Sequence, residues 1–472
     1  MMMMMKKYNK INEKILNELK FIAGAGSVIT EAERLEAYSH DELMEPSCMK
    51  YPQAVVFAKS AEEVSQLLKL ANRENIPIIP RGAGTGLTSA SVAIYGGIIL
   101  SLEKMDKIIE IDSQNMFMTA EAGVRTAEIQ RAARENGMLY AGDPCSGESS
   151  FIGGNAATNA GGNKAVKYGT TRRQIYGLKI VTASGDILTL GGKCMKDSTG
   201  YSLINLVIGS EGTLAVITEV CLKLMPLPAE SIDLLIIFND FKKAVEMVPR
   251  IIKLGVNPTC VEFMDNAVIK NCEKFIKEKL PHSENGHYII VKLEGSNIEN
   301  LEQDSIKIDE LCSKNGALET LVADPARIWK ARNAFAEADR AESPVFSAED
   351  LVVPPAAIAD AVKYIAGLAA GYGLTVHCAG HAADGNVHAH ILKGALVEGE
   401  WREKLNSFQR ELYAKVYSMG GKLSGEHGIG YKRTALMSEF CNKTELDMMK
   451  AVKKALDPNL ILNPGKIFII DE

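Results

Sequence analysis

The chain has 472 residues, 46% hydrophobic and 24% charged, which suits a globular protein with more than one core and excludes a disordered one. Its formal net charge of −6 gives no electrostatic reason to bind nucleic acid or an anionic membrane. Nine scattered cysteines with no CxxC pair exclude a thiolate-held iron–sulfur cluster or structural zinc. An odd cysteine count, no secretory leader and no apolar run of roughly 18 residues together predict a cytoplasmic protein without a transmembrane segment.

Residues 1–50 read as an N-terminal helical segment, with a polar–apolar mixture in KINEKILNELKFIAG. From Tyr51 the texture changes. The run QAVVFA predicts a strand, and SAEEVSQLLKLANREN a helix with Ser60 at its N-cap and Glu63 at the capping-box position. A strand at IPIIP then enters a glycine-rich loop. Strands and helices alternate to Leu224, where MPLPAE marks a boundary and closes a domain over 51–228. The pattern restarts with a strand at SIDLLIIF and an amphipathic helix at FKKAVEMVPRIIKLG, ended by Gly255. Further strands at HYIIVKLEG and TVHCAG, with helices between them, predict an α+β domain over 229–400, its sheet covered by helices. The stretch 401–472 reads as mostly helical and ends in LDPNLILNPGKIFI.

The loop PRGAGTGLTSAS carries Gly82, Gly84 and Gly86 directly after a strand. Glycines allow positive φ and close approach of backbone N–H groups to a phosphate. A turn and a strand follow, where a nicotinamide fingerprint would open a helix. A second stretch, GDPCSGESSFIGGNAATNAGGNKAVKYGTTRRQI, holds seven glycines separated by small and polar residues. It is too poor in bulky apolar residues to form a core, and makes sense as backbone wrapped around a large polar ligand. A third element, GSEGTLAVITEV, turns at Gly209 and Gly212 into a strand.

Four of the eight histidines fall within VHCAGHAADGNVHAH: His377, His381, His388 and His390. On a strand, His388 and His390 face one side. The Asp384–Gly385 turn signal lets His381 return toward them. Further on, KLSGEHGIGYKR pairs Glu426 with His427 between glycines. Neutral imidazoles and a carboxylate suit zinc, iron or manganese. RIWKARNAF carries three cations, Arg327, Lys330 and Arg332, on a predicted helix.

In their order and spacing, these loops resemble the FAD domain of the vanillyl-alcohol oxidase/PCMH superfamily. The chain is most similar to the branch that holds the flavin-carrying subunit of glycolate oxidase, D-lactate dehydrogenases and D-2-hydroxyglutarate dehydrogenase, over about Tyr51 to Lys466. The resemblance implies an α+β fold: a PCMH-type FAD-binding domain, an α+β substrate (cap) domain, and a C-terminal helical segment closing over the flavin. It implies FAD contacts at Arg81, Gly82, Ala83, Gly84, Thr85, Gly86, Thr88, Ser89, Asp143, Ser146, Gly153, Gly154, Asn155, Thr158, Gly161, Gly162, Glu211, Gly212, Ile217 and Asn463. The first loop lacks the histidine to which some relatives link the flavin, so the FAD is expected to be non-covalent, with Cys145 a small loop cysteine. The metal ligands implied are His381, His388 and Glu426, the base is His427, and Arg332 clamps the substrate carboxylate. His390 falls where relatives carry a polar residue that touches substrate, and His377 reads as structural. Ala348 stands near the place of a lysine that serves the distal carboxylate of dicarboxylic substrates. Its absence points to a monocarboxylic acid, D-lactate first and glycolate next.

With no second redox carrier in the sequence, the electrons are expected to leave for an external acceptor, an electron-transferring flavoprotein first. Alternatives are a D-2-hydroxyglutarate dehydrogenase, a glycolate oxidase subunit, and a non-catalytic flavin-binding subunit. The last would keep the glycine loops without His427 or Arg332. A flavin-dependent lyase or ether-lipid synthase shares the FAD half and lacks the HAADGNVHAH and GEHG pair.

Overall fold

The structure, a computed structural model, describes residues 7–43 and 45–470. The chain forms two compact units. One comprises residues up to 161, 170–227 and 426 onward; the other comprises 162–169 and 228–425. The chain leaves the first unit after Leu227 and returns to it at Glu426. The helix Glu398–Ser418 stays with the second unit, and Thr434–Phe440 and Lys443–Leu456 belong to the first.

Among the described residues, the first unit holds two larger sheets and a two-stranded pair of Met138–Leu139 with Met225–Pro226. Strands Ala54–Phe57, Ile98–Ser101 and Ile78–Arg81 run parallel, with the short Val28–Ile29 strand antiparallel at the edge. Helix Ala61–Arg73 starts at Ser60, whose side chain accepts from the Glu63 N–H; Glu63 in turn accepts from the N–H of Lys59. Its Val64, Leu67, Leu68 and Ala71 are fully buried in the same core as Val56, Ile78 and Leu100. Each of these Val, Leu and Ile side chains contributes about 1.5–3 kcal/mol on burial. The second sheet is antiparallel and five-stranded, in the order 108–112, 117–121, 215–223, 175–182, 187–191. The N-terminal segment is less helical than its composition predicts. Helix Glu13–Ala23 stops at Gly24 (φ 85°), and beyond it, among the described residues up to 50, only Ala32–Leu35 is α-helical.

The returning C-terminal segment is stitched into this unit through its backbone. The N–H of Ile78 donates to Ile461 O at 2.8 Å, and the N–H of Asn463 to Ile78 O at 2.9 Å. Buried Lys453 donates to Asp457 and to the carbonyls of Thr213 and Leu462. A buried ammonium is tolerated only when its donors are satisfied this fully.

The second unit is built on one seven-stranded antiparallel sheet in the order 317–322, 230–238, 287–295, 260–264, 375–381, 386–392, 346–352. Helices Asn266–Ile276, Pro325–Asn333 and Phe335–Glu342 bury Val268, Ile269, Ile328 and Phe335 against Leu235, Ile237, Tyr288 and Ala379 of the sheet. Register decides what shares that face. His381 pairs with Glu262, His377 with His390, and Ala379 with His388, while alternation puts His377, Ala379 and His381 on one side. All four histidines of the cluster and Glu262 therefore lie on the sheet face that these helices cover. Among the described residues, no helix is long and apolar enough to cross a membrane.

Candidate active site

In the first unit, the three glycine elements line one cleft, together with Glu426 and His427. Arg81 ends a strand and turns its guanidinium onto backbone, donating to the carbonyls of His40 and Ala37 and to Ser91 Oγ. The arginine thereby fixes the loop that follows it. Ser89 takes a left-handed φ of 58°, held by its N–H donating to Asp41 Oδ2 at 2.6 Å. Burial lifts the Asp41 carboxyl to about 6, against the N–H groups of Ser89 and Leu43.

Helix Ile152–Thr158 carries Gly153 and Gly154. A Cβ on Gly153 would meet Ala122 at 2.5 Å, whereas one on Gly154 would meet nothing within 4 Å. The first glycine serves packing and the second keeps the cleft wall low. At the next turn, a Cβ on Gly161 would press on the Glu426 side chain. Glu211, buried with φ 52°, accepts from the N–H groups of Ile429 (2.8 Å) and Gly430 (2.7 Å), tying the GSEG turn to the GEHG segment. Thr88 O accepts from the N–H groups of Tyr431 and Lys432.

Of the expected flavin contacts, Arg81 to Gly86, Ser146, Gly153 to Asn155, Thr158, Gly161, Glu211, Gly212 and Ile217 line the cleft. Thr88, Ser89, Asp143 and Asn463 are not among the residues that line it. Asn463 donates to the carbonyls of Ala90 and Glu211 and so joins two loops. Gly162 belongs to the second unit. A cleft walled by glycine and small side chains, with its loops joined to one another, fits a large polar cofactor with phosphates.

In the second unit, Glu262 is the organising residue. Fully buried, it accepts from His381 Nδ1 at 2.8 Å through one oxygen, and from Arg332 Nε (3.1 Å) and an Arg332 terminal nitrogen (2.9 Å) through the other. Burial alone would raise its pKa, but its interactions with Arg332 and the His381 ring outweigh that and hold it below the ordinary glutamate value. Because the ionised carboxylate only accepts, His381 carries its proton on Nδ1 and presents a lone pair at Nε2. His388 Nε2 lies 3.4 Å from that atom. Asp350 sits opposite His388 in the ladder, 3.8 Å from its Nδ1, and also accepts from Asn386 and Ser424.

A second carboxylate, Asp339, bridges His377 Nδ1 (2.6 Å) and His390 Nδ1 (2.7 Å). Burial acts to raise its pKa, and the two imidazole hydrogen bonds more than reverse it. His377, read from sequence as structural, is thus part of the network around His390. The supporting carboxylates Glu262, Asp339, Asp350 and Asp41 were not among the expected site residues. Glu262 alone leaves a trace, as a charge inside the otherwise apolar strand Cys260–Met264.

A cleft walled by glycines and a helix-covered sheet rich in buried histidine fit a flavin-dependent oxidoreductase. Residues 227–467 match the FAD linked oxidases, C-terminal domain, and residues 52–191 match the FAD binding domain. The chain belongs to the FAD linked oxidases. It is 37% identical to a D-lactate dehydrogenase of Anaerostipes hadrus over 98% of both chains, and 35% identical to glycolate oxidase subunit GlcD of Bacillus subtilis over 92% of both. Among solved structures, p-cresol methylhydroxylase with bound substrate superimposes with a TM-score of 0.81 at 19% identity, covering 97% of this chain and 96% of that one. That likeness carries the fold alone.

Proposed function

We propose that this enzyme oxidises a D-2-hydroxy acid, D-lactate first and glycolate next, to the 2-oxo acid, and passes the electrons to an external protein such as an electron-transferring flavoprotein. The observation that carries this reading is the pair of imidazole Nε2 atoms 3.4 Å apart, one of them fixed by a buried carboxylate. A carboxylate–histidine pair of this kind is the usual support of a metal ligand. The relatives named D-lactate dehydrogenase and glycolate oxidase subunit support the substrate class.

FAD, when bound, would supply the hydride acceptor, and His381, His388 and Glu426 would hold a divalent metal that would supply Lewis-acid polarisation of the hydroxyl. His427 then takes the hydroxyl proton as general base. Arg332 directs its cation to the substrate carboxylate, and its bonds to Glu262 hold the guanidinium plane in place. Glu262 thereby couples the anchor to the ligand His381. Ala348, buried and paired with His390 in the ladder, leaves no cation there for a second carboxylate, which favours a monocarboxylic acid over D-2-hydroxyglutarate.

The test is anaerobic mixing of the FAD-loaded protein with D-lactate, L-lactate, glycolate and D-2-hydroxyglutarate. Bleaching of the flavin band by D-lactate and not by L-lactate is expected, and reversible loss of bleaching on chelation. A flavin indifferent to all four acids would overturn the assignment.

A further inference from the structure

Resting on the site proposed above, we propose that Asp350 is a positioning residue: it clamps the Ser424–Gly425 step beside the ligand His388, so that Glu426 and His427, the next two residues of the chain, leave from a fixed point. Strand Phe346–Val352 forms one edge of the seven-stranded sheet, and Asp350 stands opposite His388 in its ladder. The outer side of an edge strand offers backbone groups with no strand to meet them. Here residues 422–425 meet them. Val352 and Lys422 each donate an N–H to the other's carbonyl, at 3.3 and 2.9 Å, and the Gly425 N–H donates to Asp350 O at 2.9 Å.

This added rail is short, and the Asp350 side chain secures its end. Oδ2 accepts from Ser424 Oγ at 2.6 Å and from the Gly425 N–H at 3.1 Å. Oδ1 accepts from Asn386 Nδ2 at 2.8 Å, and the same amide nitrogen donates to Leu351 O at 3.0 Å. A Cβ on Gly425 would run into the Asn386 amide, so carboxylate, amide and chain are in close contact. Asp350 is fully buried. Hydrogen bonds to an ionised carboxylate are roughly twice as strong as neutral ones, and burial keeps water from competing.

The need for such a clamp follows from the sequence. Glu426 and His427 lie between Gly425 and Gly428, and glycine restrains a backbone least. A metal ligand and a base set in so pliant a stretch would wander unless the chain were fixed immediately before them. Misplacement of a reacting group by about 1 Å can cost on the order of a hundredfold in rate. Glu262 already fixes Arg332 and His381. The Asp350 clamp therefore governs a different part of the site: the carboxylate ligand and the base, not the substrate anchor.

Asp350→Asn keeps the shape but turns an amide nitrogen toward either Asn386 Nδ2 or the Gly425 N–H, where donor meets donor. Ser424→Ala removes one hydroxyl, spares the rest, and serves if the first variant does not fold. In the FAD-loaded full chain, per bound flavin, the affinity for Mn²⁺, read from the EPR signal of the free ion, should fall about tenfold in Asp350→Asn and about threefold in Ser424→Ala. With metal saturating, the limiting rate of flavin reduction by D-lactate should fall by similar factors, and the Kd of D-lactate from the same traces should stay unchanged. Ser424→Thr, which returns the hydroxyl, should restore both affinity and rate. A clamp that served stability alone would lower the melting temperature and leave affinity and rate per bound flavin at wild type, and that result overturns the proposal. Wild type that ignores D-lactate sinks the substrate reading, and the Mn²⁺ affinities then decide this one. Wild type that bleaches without binding Mn²⁺ sinks the metal reading, and the reduction rates decide. Wild type that does neither sinks both.

Discussion

The Nε2 atoms of His381 and His388 face each other across 3.4 Å, and Glu262, bonded to the far side of the His381 ring, leaves one of them no orientation but this. Replacing Glu262 by Gln keeps the shape and removes the charge. Metal affinity should drop roughly 10- to 100-fold, measured as metal retained on dialysis against a graded chelator. The melting temperature should fall as well, because the buried Arg332 loses the charge of Glu262 beside it. Wild-type metal affinity in this variant would remove Glu262 from the ligand's support.

His427 lines the glycine cleft, its Nε2 3.8 Å from Glu426. His427→Ala should slow flavin reduction by D-lactate by about 10² to 10⁴-fold while the protein retains its FAD, a range typical of losing a general base. Stopped-flow bleaching and the bound-flavin ratio check both halves. Near-normal bleaching would move the base elsewhere.

Asp265 caps helix Asn266–Ile276 through the N–H of Val268 at 2.8 Å, and burial pushes its carboxyl from 3.8 up to about 6. The folded chain thus keeps a proton that the unfolded chain has lost between those pH values. Folding stability contributed by this group is present below pH 3.8 and declines as pH rises to about 6. Asp265→Asn keeps a cap and cannot titrate. The stability of wild type relative to this variant should fall by on the order of 3 kcal/mol from about pH 4 to about pH 7. Urea midpoints across that range test it, and a flat difference would contradict the burial argument.

Gly430 holds φ 55° with its N–H on Glu211, and a Cβ there would strike the Thr88 carbonyl. Gly430→Ala should therefore separate the first loop from the GEHG segment and weaken FAD retention, with left-handed strain adding about 1 kcal/mol or more. Equilibrium dialysis of the flavin is the measurement. Unaltered retention would show that the loops do not depend on this contact.

Much of this architecture is legible in the residues, because backbone chemistry announces itself locally. Ser60 caps the helix that its spacing from Glu63 predicts, and the strands at IPIIP, SIDLLIIF and TVHCAG lie where apolar runs meet turn residues. The alternation of His388 and His390 also gives their common face. What the sequence conceals is pairing at a distance. Glu262 and His381 are 119 residues apart, Asp339 and His390 are 51 apart, and nothing in AEADRAE marks Asp339 as a partner of two imidazoles. The second crossing between units at 426 is hidden for the same reason. It depends on Ile461 and Asn463 pairing with Ile78, far upstream, and not on composition near the crossing.

That late return sets the order in which the enzyme can mature. On the ribosome, the glycine loops emerge hundreds of residues before Glu426, His427 and Asn463, the groups that close and brace their cradle. A nascent chain therefore carries an unfinished nest throughout most of its synthesis, because the Asn463 amide that joins the Ala90 and Glu211 loops is made last.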